Sequence, residues 1–172
     1  MKNLTVIFAF ALFSGIAFSQ DTSSVDNYKV AFYSKEASGV FKEMKGTVVT
    51  AGDDSTAPLS FDLSIDVASI NTGNGIQNKH AKSADWFHAK KFPNIDFNSS
   101  EIIKNEKGTF AKGILMIYGI GKEVTLPLTI TSNDTHHVFK TKFSVNRLEY
   151  NMGPKSKVST SIKIIAAITI KK

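Results

Sequence analysis

Histidines and paired carboxylates are the side chains of this sequence that could bind a metal ion or transfer protons. His136 and His137 are adjacent, and adjacent side chains on a regular strand point to opposite faces, so the pair cannot bind one metal ion. His80 and His88 lie eight residues apart with Asp85 between them, which is not the i, i+4 spacing of zinc ligands on a helix. The pattern therefore favours histidines that pack or lie at the surface over a metal site.

Asp62 and Asp66 share one face of a strand pattern and could form a pair of catalytic carboxylates. That face is the polar side of an amphipathic strand, so a solvated surface is the simpler interpretation. The sequence has no cysteine nucleophile, no Gly-x-Ser-x-Gly motif and no phosphate-binding glycine loop. Only His137 and Thr141 are polar candidates on an inward strand face. We therefore predict no catalytic residue, no metal and no cofactor, so that the protein is not an enzyme.

The first 19 residues have the pattern of a secretory signal peptide. Lys2 precedes a short apolar run, and Ala17 and Ser19 fit the small residues of a cleavage site. We expect cleavage after Ser19, a domain over residues 20–172, and a periplasmic or secreted protein. No later run approaches the roughly 18 apolar residues of a transmembrane helix, so no integral membrane span is predicted.

The chain has a formal net charge of +6, but its lysines are scattered and Arg147 is its one arginine. Nucleic-acid sites concentrate basic residues and interleave stacking aromatics, so we predict no nucleic-acid partner. The basic balance permits transient contact with anionic membranes. Whether the protein forms a homodimer is left open by the sequence.

Most of the remaining sequence alternates apolar and polar residues as strands do. Residues 20–27 are polar and predict a frayed start, and the apolar run Ile114–Ile117 predicts a strand covered on both faces. One segment without Gly or Pro, residues 76–91, predicts a helix. The predicted strands are 28–33, 38–50, 57–69, 95–103, 109–118, 124–130, 137–145 and 157–171.

Eight antiparallel strands with one apolar face each can close into a barrel, which removes exposed strand edges. The predicted fold is therefore all-β, an eight-stranded antiparallel barrel with one helical insertion after the third strand. A membrane barrel would place the apolar face outside, and the lysine-rich opposite face favours a soluble barrel. The inward apolar residues could fill the barrel or line a tunnel, and the pattern alone allows both.

Several blocks, in the same order and spacing, resemble the YceI-like family of polyisoprenoid-binding proteins. The most specific runs from His80 to Ser99, HAKSADWFHAKKFPNIDFNS, and includes the family's Phe-Pro and Ile-x-Phe-x-Ser elements. Ser69–Thr72 and the block Gly113–Pro127 also match the family pattern. The resemblance implies a lipocalin-like barrel whose cavity holds an isoprenoid or fatty-acyl chain, export from the cytoplasm, and no catalysis.

With this resemblance we predict an exported protein that binds a small-molecule lipid in the barrel, as a carrier or by sequestration. The alternative is a secreted barrel with a filled interior that acts as a protein-interaction or stress-response module. The predicted cavity-lining residues are Phe61, Leu63, Ile65, Trp86, Phe87, Phe97, Leu115, Leu126, Phe139, Phe143 and Ile164.

Overall fold

The computed structural model describes residues 20–52, 58–155 and 158–172, so the predicted signal peptide lies outside the described residues. The described residues form ten strands and one α-helix, with 3₁₀ helices at Val67–Ser69 and Arg147–Tyr150. The elements are β1 Asp21–Tyr33, β2 Ser38–Phe41, β3 Met44–Thr50, β4 Pro58–Asp66, β5 Ile70–Asn71, α1 Gly75–Ala81, β6 Asn94–Asn105, β7 Gly108–Ile117, β8 Ile120–Ser132, β9 His136–Asn146 and β10 Ser161–Lys171.

Eight of these strands form a closed antiparallel barrel in the order β10-β9-β8-β7-β6-β4-β3-β1. The barrel closes because β1 pairs with β10 from Val25 opposite Ile170 to Tyr33 opposite Lys163. The short strands β2 and β5 pair with each other, and β2 also pairs with β1, at one end. The predicted all-β, eight-stranded lipocalin-like barrel with one helical insertion is confirmed, and the insertion lies between β4 and β6, as expected.

Two strand predictions were wrong about burial or pairing. Residues 21–27 belong to β1 instead of a frayed start, because Asp21–Ser24 pair with Thr47–Thr50 of β3. Backbone hydrogen bonds define this part of the strand although its side chains are polar. The β7 segment is covered on one face only, since Ile114 and Met116 are 42 % and 39 % exposed on the outer wall.

Three predicted strand bounds also change. The predicted strand 38–50 is two strands, β2 and β3, and 57–69 ends at Asp66, whose carboxylate caps the 3₁₀ helix by accepting from Ala68 N at 2.7 Å. Residues 158–160 are a loop before β10. Gly46 permits the close backbone approach that the sequence suggests, because a Cβ there would lie 2.3 Å from the carbonyl oxygen of Asp62. Residues 53–57 and 156–157 of these predictions lie outside the described part.

The helical insertion is shorter than the predicted helix. Asn74 caps α1 by accepting hydrogen bonds from Ile76 N and Gln77 N, and the helix ends at Ala81. From Ser83 the chain follows a series of turns, and His88 adopts a left-handed φ of 48°. The prediction was wrong for 82–91 because non-helical hydrogen bonds, such as Phe87 N donating to Ala81 O at 3.0 Å, replace the helical pattern.

The two ends of the barrel differ in their connections. One end, here called the mouth, carries the turn 34–37, the insertion 67–93 and the segment 147–160. The other end carries the short connections that follow β3, β6 and β8, and is here called the closed end. Near the closed end β8 pairs with β9 over only four residues, Thr129–Ser132 with His137–Lys140. Closer to the mouth these two strands have no residue pairing, which leaves a seam in the wall.

Arg147 organises the segment 147–160 at the mouth. Its side chain is almost fully buried, and its guanidinium donates to the carbonyl oxygens of Ser159 at 2.8 Å, Met152 at 2.5 Å, Pro154 at 2.7 Å and Val158 at 3.0 Å. Four carbonyl groups thus share one planar donor, and this side chain joins Met152 and Pro154 to Val158 and Ser159.

We expect Arg147→Met to lower the free energy of unfolding by about 3 kcal/mol, because buried carbonyl groups lose their partner. Urea unfolding measures this change. Lys163→Met is the matched control, because this exposed cation of β10 should change stability by less than about 0.5 kcal/mol. Equal stability of the two variants would contradict a structural role for Arg147.

Candidate functional site

The interior of the barrel holds an apolar cavity of about 530 Å³. Protein interiors pack so closely that they leave few voids larger than a water molecule, so the side chains do not fill this barrel. The volume lies within the range of about 300–1,000 Å³ that is usual for small-molecule sites. The described residues therefore form an open interior, and the filled interior of the alternative prediction is not observed.

Every residue that the sequence predicted for the cavity lies in its wall. Nine of them come from strands and point inward by the alternation of side chains along a strand, while Trp86 and Phe87 come from the insertion. Whether these side chains contact a ligand remains a prediction. The set comprises Phe61, Leu63, Ile65, Trp86, Phe87, Phe97, Leu115, Leu126, Phe139, Phe143 and Ile164.

The cavity ends blindly near the closed end. The rings of Phe61 and Phe139 lie edge to face, with centroids 5.3 Å apart, in its lining. Beyond them Val48, His137 and Ile170 are at least 96 % buried and do not line the cavity. His137 Nδ1 lies 3.0 Å from Ser132 Oγ, so its ring is part of this packed end. In the part of the chain that the structure describes, this packed end leaves the mouth and the seam as the routes by which a long ligand can enter.

Polar lining residues gather at the mouth, while the inner wall is almost entirely apolar. Lys140 and Thr141 of β9 are the polar residues of the lining away from the mouth, and Thr141 Oγ1 is buried with no hydrogen-bond partner among the described residues. This hydroxyl could form a hydrogen bond with a polar group of a ligand. It does not belong to a cluster of side chains that could catalyse a reaction. The polar residues at the mouth are Ser34, Glu36, Thr72, Gln77, His80, Arg147 and Ser159.

Glu36 gives the mouth a negative charge that Ser159 links to the loop held by Arg147. Burial, the largest single effect, raises the pKa of the Glu36 carboxyl, but hydrogen bonds from the side chain and backbone of Ser159 together outweigh it and lower the pKa overall. The side-chain bond joins Ser159 Oγ to Glu36 Oε1 at 3.0 Å. The carboxylate is thus ionised at neutral pH, and it connects the turn 34–37 to the segment 147–160.

Trp86 lies between the helix α1 and the segment 147–160. Its Nε1 donates to Nε2 of His80 at 2.8 Å, and its ring lies 5.5 Å from the guanidinium carbon of Arg147. Gly153, with a φ of 68°, packs against the six-membered ring of the indole. The indole therefore joins three parts of the mouth while one side of it lines the cavity.

The other aromatic residues of the insertion divide into two groups. Phe87 lines the cavity and packs edge to face on Phe41, with ring centroids 5.9 Å apart. Phe92 instead packs outside the cavity on Tyr118, at 4.9 Å, and on His88. Phe87 and Phe92 of the insertion thus pack on two different surfaces, one inside the cavity and one outside it.

Sequence reasoning missed part of the cavity wall. Phe32 and Phe41 follow the strand alternation and could have been found from it, as could Ile95 and Ile168. Arg147 and Met152 lie in an irregular segment where no periodicity indicates which side chains turn inward. Their position depends on contacts between distant parts of the chain.

The side chains considered for catalysis and metal binding are separated in space. His80 bonds to Trp86, whereas His88 packs on Phe92 and Tyr118. Asp66 caps a 3₁₀ helix, and His136 faces Asp26 at 3.6 Å on the surface. Within residues 20–52, 58–155 and 158–172 no three His, Cys, Asp or Glu side chains cluster as metal ligands would. In the same part of the chain no helix has the length and apolar character needed to cross a membrane.

The sequence of this chain is similar to those of known proteins. A protein of Photorhabdus laumondii named as a UPF0312 protein is 31 % identical over 88 residues, which is 51 % of this chain and 45 % of the relative. The matched part of the chain spans about half the length of the first curated relatives.

Solved structures share the fold. The crystal structure of BcnA from Burkholderia cenocepacia is 28 % identical with a TM-score of 0.74, covering 83 % of this chain and 95 % of that one. A domain of Saccharophagus degradans described as polyisoprenoid-binding has a TM-score of 0.66 at 14 % identity, covering 87 % of this chain and 97 % of that one. The family model of the YceI-like domain matches residues 17–170. With that match over nearly the whole chain, this protein belongs to the YceI-like family.

Proposed function

We propose that the protein binds the hydrocarbon chain of a lipid inside its barrel, with an isoprenoid as the first candidate and a fatty-acyl chain as the second. The observation that carries the proposal is the apolar cavity of about 530 Å³ that is blind at one end and polar at the other. The description of the Saccharophagus degradans domain as polyisoprenoid-binding supports the ligand class.

The shape of the cavity gives the orientation of the ligand. Each methylene group that leaves water contributes about 0.8 kcal/mol, so a chain buried along the barrel supplies affinity even after its ordering cost. The tail would lie against Phe61 and Phe139 at the blind end, and the polar end would remain near Glu36, His80 and Ser159 at the mouth. Recognition would depend on the length and shape of the chain more than on its head group.

The role that fits this site is transport or sequestration without catalysis. The inner wall offers no polar cluster that could transfer protons, and the proposed binding needs no cofactor. Export rests on the signal-peptide pattern of residues 1–19, and a periplasmic or secreted protein would meet lipids that leave a membrane. The interaction-module alternative loses its basis because it depends on a filled interior.

The direct test is to identify what the protein carries. We expect gently purified protein to contain a lipid that organic extraction and native mass spectrometry both detect, and isoprenoid quinones to raise the melting temperature of the delipidated protein. A protein that carries no lipid and shows no thermal shift with isoprenoid or fatty-acyl compounds would contradict the proposal.

A block inside the cavity tests where the chain binds. Ala166 lines the cavity in the middle of β10, so Ala166→Phe should displace about three methylene groups of the ligand, worth about 2.4 kcal/mol. That loss corresponds to a roughly fiftyfold weaker affinity, which a lipid-binding titration measures.

The neighbouring residue provides the matched control for this variant. Ala167 lies between Lys29 and Lys140 in the register of the sheet and points to the outer wall. Ala167→Phe should therefore bind lipid as the unmodified protein does. Equal affinity of the two variants would place the ligand outside the barrel.

Trp86 tests whether the insertion covers the cavity. Trp86→Phe keeps an aromatic ring in the wall but removes the hydrogen bond to His80, worth about 1 kcal/mol. We expect bound lipid to leave roughly five times faster, as measured by transfer to acceptor vesicles, with little change in melting temperature. Tyr28→Phe also removes one aromatic donor, to Lys42 O, in a hydrogen bond that involves neither Trp86 nor His80, and it should leave the release rate unchanged. A loss of stability without faster release would make Trp86 a plug of the barrel end.

A further inference from the structure

The mouth of the barrel carries an unusual apolar side chain. Ile76 is 82 % exposed, about twice the exposure of the other large apolar residues found at the surface of the described chain. It lies in the second position of α1, a helix of seven residues none of which is buried. Ile76 also lines the outermost part of the cavity, so the edge of the opening is apolar and faces solvent.

Most charged residues of the insertion that carries Ile76 are positive. The insertion 67–93 contains four lysines, Lys79, Lys82, Lys90 and Lys91, and one acidic residue, Asp85. Lys79 is exposed and lies three residues after Ile76 in α1, so both occupy one side of the helix. The flanking connections add exposed Lys35 and Lys155 and two acidic residues, Glu149 and Glu36, of which Glu36 is bonded by Ser159.

The opposite end of the barrel does not share this charge. Among the described residues, the connections at the closed end carry Glu106, Lys107 and Asp134, and the chain ends beside them carry Asp21, Lys171 and Lys172, so positive and negative charges balance there. The basic residues of the insertion therefore give the barrel a positive mouth end, which an anionic partner would meet first.

We propose that the mouth docks on the surface of an anionic phospholipid bilayer, with Ile76 inserted at the boundary between head groups and acyl chains and the lysines of the insertion on the phosphates. A protein partner would need a continuous apolar area, whereas a bilayer accepts a single aliphatic side chain surrounded by cations. This docking rests on the proposed function in one respect, since it would bring the cavity to the source of its lipid.

Sedimentation with vesicles tests the proposal on the full-length mature protein. We expect binding to vesicles of phosphatidylcholine and phosphatidylglycerol in equal parts, little binding to phosphatidylcholine alone, and release by high salt. Lys79→Gln with Lys82→Gln should weaken binding by roughly twentyfold or more, since each lysine near the surface contributes roughly a fivefold factor. Ile76→Ser should weaken binding to the same vesicles without changing its salt dependence.

The outer wall provides a demanding control. Lys142 and Lys163 are exposed on neighbouring strands β9 and β10, close to the exposed Ile165. Lys142→Gln with Lys163→Gln removes the same net charge, and this variant should retain most of the vesicle binding. Equal losses in the mouth and wall variants, or no preference for anionic vesicles, would overturn the proposal. Melting temperatures like that of the unmodified protein show that the variants are folded.

Two further readouts distinguish docking on a bilayer from contact between copies of the chain and from lipid binding in the cavity. If Ile76→Ser changes the oligomeric state in light scattering and leaves vesicle binding intact, the mouth is an interface between copies of the chain and the proposal is wrong. The lysine variant of the mouth should still hold a lipid that was loaded from detergent, because Lys79 and Lys82 do not line the cavity. Vesicle binding by a protein that never holds lipid would support docking while contradicting the proposed function.

Discussion

The pairing of β1 with β10 is the interaction on which the rest of the structure depends. It joins the first and last strands of the chain over the segment from Val25 to Tyr33 and turns a sheet with two edges into a barrel. Closure forces the apolar faces of eight strands toward one another at a distance that their side chains bridge only in places, as Phe61 and Phe139 do. The cavity is thus a consequence of strand number and closure, and the large residues Phe61, Phe97, Phe139 and Phe143 define its width without filling it.

The two ends of the barrel are built differently, one from packed side chains and the other from irregular chain. The closed end packs Val48, His137 and Ile170 tightly, and short connections follow β6 and β8 there. The mouth uses irregular chain, which must satisfy its own backbone polar groups because no sheet does so. Arg147 meets that need by donating to four carbonyl groups, and Trp86 links the loop so formed to His80. A closed barrel whose opening is built from irregular chain, not from sheet, fits the proposed binding of a ligand from that end.

Much of this site was predictable from residue patterns because a strand has a strict period of two. Phe61, Leu63 and Ile65 had to share a face, and β4 places them in the cavity. The residue pattern of a strand did not predict which other parts of the chain cover it or pair with it. The run Ile114–Ile117 looked fully buried, yet Ile114 and Met116 are exposed because no second layer covers the outside of β7. The polar residues at the start of β1 predicted a frayed end, but β3 pairs with this segment. The pairing uses backbone hydrogen bonds, which do not depend on the polarity of the side chains.

By itself the sequence determined the all-β class, the number of barrel strands, the position of the insertion and the inward faces, since each follows from local alternation and turn residues. The block from His80 to Ser99 was enough to indicate the family, which the match over residues 17–170 confirms. Only the tertiary structure decided that the interior is open, that α1 ends at Ala81, and that Arg147 and Trp86 build the mouth. These features depend on contacts between residues that are far apart in the chain, and a local sequence pattern does not specify such contacts.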